Sequence, residues 1–161
     1  LAPSYMSHAT HLVLARELYP KRLAGDEPEA LELVPWKLAD IGELLGVKFL
    51  ITFTESGDST RRLSRVRPRI PMLAFTPNQW TRSQLALTWG VETFLVGKAK
   101  HTDEMAMQVD EVLLAAGRVL EGDTVIIVAG SPPGIPGSTN ALRVHRVGDA
   151  KNRVAPAYNE L

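Results

Sequence analysis

The chain has 161 residues, of which 45% are hydrophobic and 22% charged, a size that suits one globular domain with a single core. Eighteen basic and eighteen acidic residues give a formal net charge of zero, so the chain lacks the basic excess of a nucleic-acid-binding protein. No apolar run approaches the roughly 20 residues of a membrane span, and we expect no signal peptide. The absence of cysteine excludes disulfides and thiolate metal sites and is typical of a cytoplasmic protein.

The N-terminal part of the chain is predicted to be helical. Apolar residues recur at helical spacing from Ser4 to Leu18, and Pro20 ends that pattern. A second helix is predicted from Pro35 to Leu45, because Pro35 suits a first turn and Gly46 suits the position after the last turn. The first residue is Leu rather than Met, which leaves open whether the chain is part of a longer protein.

Strands and helices alternate from Val47 onward, which predicts an α/β fold with a mostly parallel sheet. The fourth and fifth strands are joined by a loop without a helix, so the last strand can pair in antiparallel fashion. The continuous apolar character of the first and fourth strands places them centrally. The predicted strands are Val47–Phe53, Pro71–Thr76, Thr93–Val96, Thr124–Ala129 and Asn140–Val147; the helices between them are Thr60–Val66, Gln79–Trp89 and His101–Val119.

The segment VKFLITFTESGDS, residues 47–59, joins a predicted strand to a helix through a polar turn that contains glycine. Hydroxyl groups, a flexible glycine and a helix N-terminus together suit a phosphate group. The carboxylates of Glu55 and Asp58 count against this interpretation, since they repel an anion. The alternative is an ordinary turn in which Ser or Asp caps the helix. Neither a P-loop nor a dinucleotide-binding glycine motif occurs in the sequence.

The loop Gly130–Ser138, with sequence GSPPGIPGS, follows the fourth strand. If the strands are parallel, this loop and the 54–59 turn lie at the same edge of the sheet. The loop is therefore either a lid over a bound anion or a wide hairpin connection.

Three histidines and one arginine each allow more than one interpretation. His8 and His11 are three residues apart on a predicted helix, but no acidic partner follows one turn later, which favours a solvated face over a metal site. Arg143 and His145 alternate to one face of the last strand. They either border an anion or a subunit contact, or they face solvent at the sheet edge.

A cluster of arginines follows the polar turn and indicates either a charged helix face or a contact with another domain or subunit. Its members are Arg61, Arg62, Arg65, Arg67 and Arg69. The tryptophans Trp36, Trp80 and Trp89 are interpreted as core or interface residues. No Ser-His-Asp set, paired carboxylates or metal triad can be assembled, so the residues predict a binding site and no catalytic one.

Several segments resemble the C-terminal domain of pyruvate kinases in order and spacing. They are FTESG at 53–57, SRVRPRIP at 64–71, AFTPN at 74–78, ALTWGV at 86–91, GDTVIIVAGSPPG at 122–134, GSTN at 137–140 and the pair Arg143-Val144. The resemblance covers residues 35–148, preceded by a helical lead-in at 1–34 and followed by a polar tail at 149–161. It implies a three-layer α/β/α sandwich with a five-stranded mixed sheet whose last strand is antiparallel.

The resemblance also implies a regulatory role. Such a domain binds a phosphorylated allosteric effector and contributes to a homo-oligomer. The parent enzyme transfers a phosphoryl group from phosphoenolpyruvate to ADP in a separate barrel that uses Mg²⁺ and K⁺. No catalytic residue, metal ligand or cofactor site is carried over to this chain, and neither nucleic acid nor a membrane is an expected partner.

By the same resemblance, the effector phosphate is held by Thr54, Glu55, Ser56, Gly57, Asp58 and Ser59, and the lid over it contains Ser131, Pro132, Pro133, Gly134, Gly137 and Ser138. Relatives that bind a bisphosphate often carry a base where this chain has Glu55. The stretch Lys100–Arg118 shows no match to their site for the second phosphate. We therefore expect a sugar monophosphate or AMP rather than fructose bisphosphate. The alternatives are an oligomerisation module without a ligand and a freestanding homologue of the domain.

Overall fold

The computed structural model describes residues 30–130, 133 and 139–151. The predicted helix Ser4–Leu18 and the polar tail beyond residue 151 lie outside the described residues, as do His8 and His11. Within the described part, no helix is both long and apolar enough to cross a membrane.

Helices and strands alternate along the described residues. In chain order they are α1 (Ala30–Leu45), β1 (Phe49–Phe53), α2 (Asp58–Arg65), β2 (Met72–Thr76), α3 (Gln79–Leu85), β3 (Val91–Leu95), α4 (Thr102–Ala115), β4 (Thr124–Gly130) and β5 (Thr139–Arg146).

The strands form one five-stranded sheet in the order β3-β2-β1-β4-β5. The pairs β1–β2, β1–β4 and β2–β3 are parallel, and β4–β5 is antiparallel. This confirms the predicted mixed sheet with an antiparallel last strand. It also confirms that the two most apolar strands, β1 and β4, are interior, with a neighbouring strand on each side.

Helices cover both faces of the sheet, which confirms the three-layer sandwich. Because side chains alternate along β1, Leu50 and Ile51 are both fully buried but enter different cores. Ile51 packs with residues of α4, including Val109 and Leu113. Leu50 packs with residues of α1 and α2, including Leu38 and Leu63.

Several predicted element bounds are wrong. Helix α1 begins at Ala30, so Pro35 lies inside the helix rather than in its first turn. Helix α3 ends at Leu85 instead of Trp89, because Leu87 N and Thr88 N bond to carbonyls only three residues back, at 3.3 and 2.9 Å.

Of the two alternatives for the tryptophans, core or interface, the structure excludes the core for Trp80 and Trp89. The exposed fractions are 72% for Trp80 and 52% for Trp89. Trp89 instead lies beneath the guanidinium carbon of Arg67, which is 5.5 Å from the indole centroid. An interface role for these two residues stays a prediction.

Candidate functional site

A cleft of about 60 Å³ opens at the carboxyl edge of the parallel strands. From β1 the chain passes through α2 to β2, whereas β4 pairs with the other side of β1. Parallel sheets bind ligands at such a reversal of strand order, because the loops diverge there and leave a crevice. The cleft is lined by the turn after β1, the loop after β3, and residues at the end of β4 and the start of β5.

The turn after β1 is shaped by its own hydrogen bonds. Gly57 has a φ of 85°, a left-handed conformation that glycine adopts without steric cost. Its backbone N–H donates to Thr54 Oγ1 at 2.8 Å. The carbonyl of Glu55 accepts from Thr81 Oγ1 at 2.7 Å, which attaches the turn to α3. The N–H of Gly57 is therefore used in a hydrogen bond within the turn, and Gly57 does not line the cleft.

Helix α2 begins at the cleft, and Asp58 and Ser59 of its first turn line it. The first helical bond runs from Arg61 N to Gly57 O at 3.0 Å, so the preceding N–H groups have no helical carbonyl to bond. The positive end of the helix dipole adds to the attraction for an anion. A buried bond of 2.7 Å between the hydroxyls of Thr52 and Thr60 fixes α2 against β1.

The hydroxyl of Ser59 is bonded to that of Thr139, the first residue of β5. This contact joins the start of α2 to the strand that follows the 131–138 loop. The start of α2 and the start of β5, which both line the cleft, are thus joined by a contact between side chains.

Charged side chains at the cleft are paired. Glu55 Oε1 lies 3.7 Å from Lys98 Nζ, and Asp58 Oδ2 lies 2.7 Å from Arg62 Nε. The repulsion that counted against an anion site is therefore offset by two cations. Lys98 was missed by the sequence analysis, although its place in the loop that follows a parallel strand was a usable signal.

The structure brings together six of the seven predicted site residues that it describes. Thr54, Glu55, Ser56, Asp58, Ser59 and Pro133 all line the cleft. The other predicted lid residues, Ser131, Pro132, Gly134, Gly137 and Ser138, lie outside the described residues. The phosphate-binding and lid roles stay predictions.

The predicted location of His145, at an anion site, a subunit contact or the solvent-facing sheet edge, is wrong. Its side chain is 2% exposed and faces neither solvent nor the cleft. Because α4 covers this face of β5, His145 Nε2 contacts Asp110 Oδ1 at 2.7 Å. Arg143, on the same face, pairs with Asp103 Oδ1 at 2.6 Å. Asp110 was missed, although its position between Ala106 and Leu113 on a helix places it on the buried face.

Burial alone would raise the pKa of Asp110, and this is the largest single influence on it. The hydrogen bond and charge of His145, together with the backbone N–H groups of Lys151 and Gly148, outweigh burial and lower the pKa below its usual range. Asp110 is thus held in its charged form inside the fold.

Two of the five arginines after the turn make contacts within the domain itself. Arg61 donates to Ser56 O and to Gln84 Oε1, both at 3.0 Å, and so joins α2 to the turn and to α3. Arg62 pairs with Asp58 within α2. These contacts agree with a charged helix face for Arg61 and Arg62, and a domain or subunit contact of the cluster stays a prediction.

The topology and the cleft define a class, the doubly wound α/β domains that carry a ligand cleft at the carboxyl edge of the sheet. The family model "Pyruvate kinase, alpha/beta domain" matches residues 37–145. The chain belongs to this family.

Relatives at the sequence level are pyruvate kinases of bacteria. The enzyme of Mycobacterium tuberculosis is 52% identical over 117 residues, which are 73% of this chain and 25% of the relative. That of Corynebacterium glutamicum is 45% identical over 117 residues, with the same shares of both chains. That of Staphylococcus aureus is 38% identical over 105 residues, which are 65% of this chain and 18% of the relative. The chain thus spans about a quarter of the length of its first relatives.

A solved structure shows the same fold. The pyruvate kinase of Cryptosporidium parvum superimposes with a TM-score of 0.64 at 21% identity, covering 82% of this chain and 24% of that chain.

Proposed function

We propose that this chain is the regulatory domain of a pyruvate kinase and that it binds a phosphorylated effector in the cleft. One observation carries the proposal. The hydroxyl-rich turn, the N-terminus of α2 and Lys98 meet at the carboxyl edge of the sheet, where they line one cleft. Short donors and a helix N-terminus are the groups that bind phosphate in other α/β folds.

Within a longer enzyme, the domain would act by linkage. An effector that binds one quaternary state more tightly shifts the enzyme toward that state, by no more than its differential affinity. The phosphoryl transfer from phosphoenolpyruvate to ADP would belong to a separate barrel, together with its Mg²⁺ and K⁺. In the described part of this chain, no three acidic or histidine side chains lie close enough to hold a metal ion. The lack of cysteine supports a cytoplasmic location.

Titration calorimetry with glucose 6-phosphate, ribose 5-phosphate and AMP tests the proposal. We expect heat of binding and a rise in melting temperature with at least one of them at millimolar concentration. Ser56→Asp should abolish that binding, since it adds a carboxylate to the turn. Retained affinity in this variant would show that the site lies elsewhere. If none of the three ligands gives a response, effector binding is refuted.

A second candidate is an oligomerisation module, supported by large apolar side chains at the surface. The exposed fraction is 93% for Leu87, which follows α3, and 86% for Leu44 in α1. Light scattering distinguishes the candidates: a ligand-free oligomer that dissociates with Leu44→Ser or Leu87→Ser supports the module, and a monomer at all concentrations excludes it.

A further inference from the structure

The β3–α4 loop, residues 96–101, forms the wall of the cleft that faces the turn after β1. Side chains of α4 hold this loop by two hydrogen bonds to its backbone. Gln108 Nε2 donates to Gly97 O at 2.9 Å, and Glu104 Oε2 accepts from the N–H of Lys100 at 2.6 Å. Because the loop is bonded to α4, its position in the cleft depends on the position of that helix.

The buried face of α4 is apolar. Near the cleft, Met105 packs with Ala99 of the loop and with Ala129 at the end of β4. Further along the helix, Val109 and Leu113 pack on the sheet. The hydrophobic effect is non-directional, so this packing holds α4 against the sheet but does little to fix the helix along its own axis.

Directional contacts hold α4 at two points of β5. In the first turn, Asp103 Oδ1 accepts from Arg143 Nη1 at 2.6 Å. About two turns further, Asp110 Oδ1 lies 2.7 Å from His145 Nε2. The first pair is less than one-third exposed, and the second is buried. Hydrogen bonds to a carboxylate are short and directional, so two of them fix the helix along its axis, whereas one would let it pivot.

The strand that makes these contacts also reaches the other side of the cleft. Strand β5 begins at Thr139, which lines the cleft and is bonded to Ser59 of α2. The two walls of the cleft, the 54–59 turn with α2 and the β3–α4 loop with α4, are therefore connected through β5.

We propose that the contacts of Asp103 with Arg143 and of Asp110 with His145 form a clamp that sets the separation of the two cleft walls. All four are positioning residues: none of them lines the cleft, and they act on the loop through α4. A broken clamp lets α4 shift and loosens the loop, while the apolar core beneath the helix is kept. The position of the loop can be tested without a ligand, whereas its consequence for affinity rests on the proposed function.

Hydrogen exchange of the 96–101 loop, followed by mass spectrometry on the full chain, tests the cleft end of the clamp. Asp103→Ala and Arg143→Met should each accelerate this exchange by about fivefold or more, because a charge-assisted hydrogen bond is lost. Arg143→Met leaves the sequence of α4 unchanged, so its effect cannot come from a weaker helix. The double variant should exchange no faster than the faster single variant, since both substitutions remove the same contact.

Two further variants are matched to these. Arg143→Lys keeps the positive charge and should restore part of the protection. Glu111→Gln changes an exposed acid of the same helix and should leave the exchange of the loop unchanged.

At the buried end of the clamp, two substitutions of His145 are compared. His145→Gln keeps an N–H donor for Asp110, so the loop should stay close to its original protection. His145→Leu removes the donor and should accelerate exchange of the loop. The melting temperature of each variant shows that the measurement is made on folded protein. If His145→Leu does not fold, the Asp103 and Arg143 variants still decide.

The outcomes are distinguishable. Faster loop exchange with a non-additive double variant supports the clamp, and exchange equal to that of the unaltered chain overturns it. In titration with glucose 6-phosphate, Asp103→Ala should bind several-fold more weakly. Equal affinity despite faster exchange would overturn the effect of the clamp on the cleft. If the unaltered chain binds none of the three ligands named above, the proposed function fails, and the exchange of the loop alone decides the clamp.

Discussion

Nε2 of His145 lies 2.7 Å from Oδ1 of Asp110, and both side chains are buried between β5 and α4. The second carboxylate oxygen of Asp110 accepts from the backbone N–H of Lys151 at 3.0 Å. One carboxylate therefore joins a helix, an edge strand and the turn that follows this strand. Because a buried carboxylate is costly without partners, each of these segments has to be in place for the others to be stable.

Replacing Asp110 should destabilise the domain strongly. In Asp110→Ala, both His145 and the Lys151 N–H lose a buried partner, and breaking a buried pair in this way costs about 3–5 kcal/mol. Urea denaturation followed by circular dichroism measures the free energy of unfolding. Asp40→Ala is the control, since Asp40 is 71% exposed and its pairing with Lys37 is a surface contact, where a change within about 0.5 kcal/mol is expected. A loss below about 1 kcal/mol in Asp110→Ala would show that the pair contributes little.

The lowered pKa of Asp110 predicts a specific acid sensitivity. A carboxyl whose pKa is lower in the folded state stabilises the fold above its unfolded pKa of about 3.9. This contribution is lost as the pH falls through the folded pKa. The free energy of unfolding should therefore decrease below about pH 4 in the unaltered chain. Asp110→Asn should be less stable at pH 7 but should show a shallower decrease with acid, and equal slopes for the two proteins would refute the assignment.

Much of the fold could be predicted, because its determinants are local. The apolar character of residues 49–53 and 124–129 and the prolines and glycines between the elements were enough for the order of strands and helices. The polar turn at 54–59 and the loop after β4 were placed at the same edge of the sheet by the general geometry of parallel strands.

The errors concern contacts between residues that are distant in the sequence. His145 and Asp110 are separated by 35 residues, and an edge strand with alternating polar side chains gives no indication that a helix covers it. Lys98 follows a parallel strand, but its pairing with Glu55 joins two loops that are distant in the sequence. One further error is local: the end of α3 was placed too late, since Trp89 continues the apolar pattern but is itself exposed.

The conformation of Gly57 predicts a cost for any side chain at this position. Its φ is 85°, and an added Cβ would lie 3.1 Å from both Leu85 Cδ2 and Arg61 Nη1. Gly57→Ala should therefore lose about 1–2 kcal/mol from backbone strain and somewhat more from crowding.

Gly46→Ala separates these two contributions. Gly46 has a φ of 62°, but its Cβ would meet nothing within 4 Å, so this variant reports strain alone. Urea denaturation of both variants should place Gly57→Ala below Gly46→Ala in free energy of unfolding. Equal losses would show that the neighbours of Gly57 move aside without cost.

The hydroxyl pair of Ser59 and Thr139 predicts an energetic coupling between α2 and β5. A partly buried hydrogen bond contributes about 0.5–1.5 kcal/mol, so Ser59→Ala and Thr139→Val should each destabilise the chain by about this amount. The double variant should lose less than the sum, because the first substitution already removes the shared bond. As a control, Ser83→Ala removes a hydroxyl that bonds to Gln79 O within α3, and it should be additive with Thr139→Val. Additivity in the Ser59–Thr139 cycle would mean that the start of β5 is held to the cleft by the sheet alone.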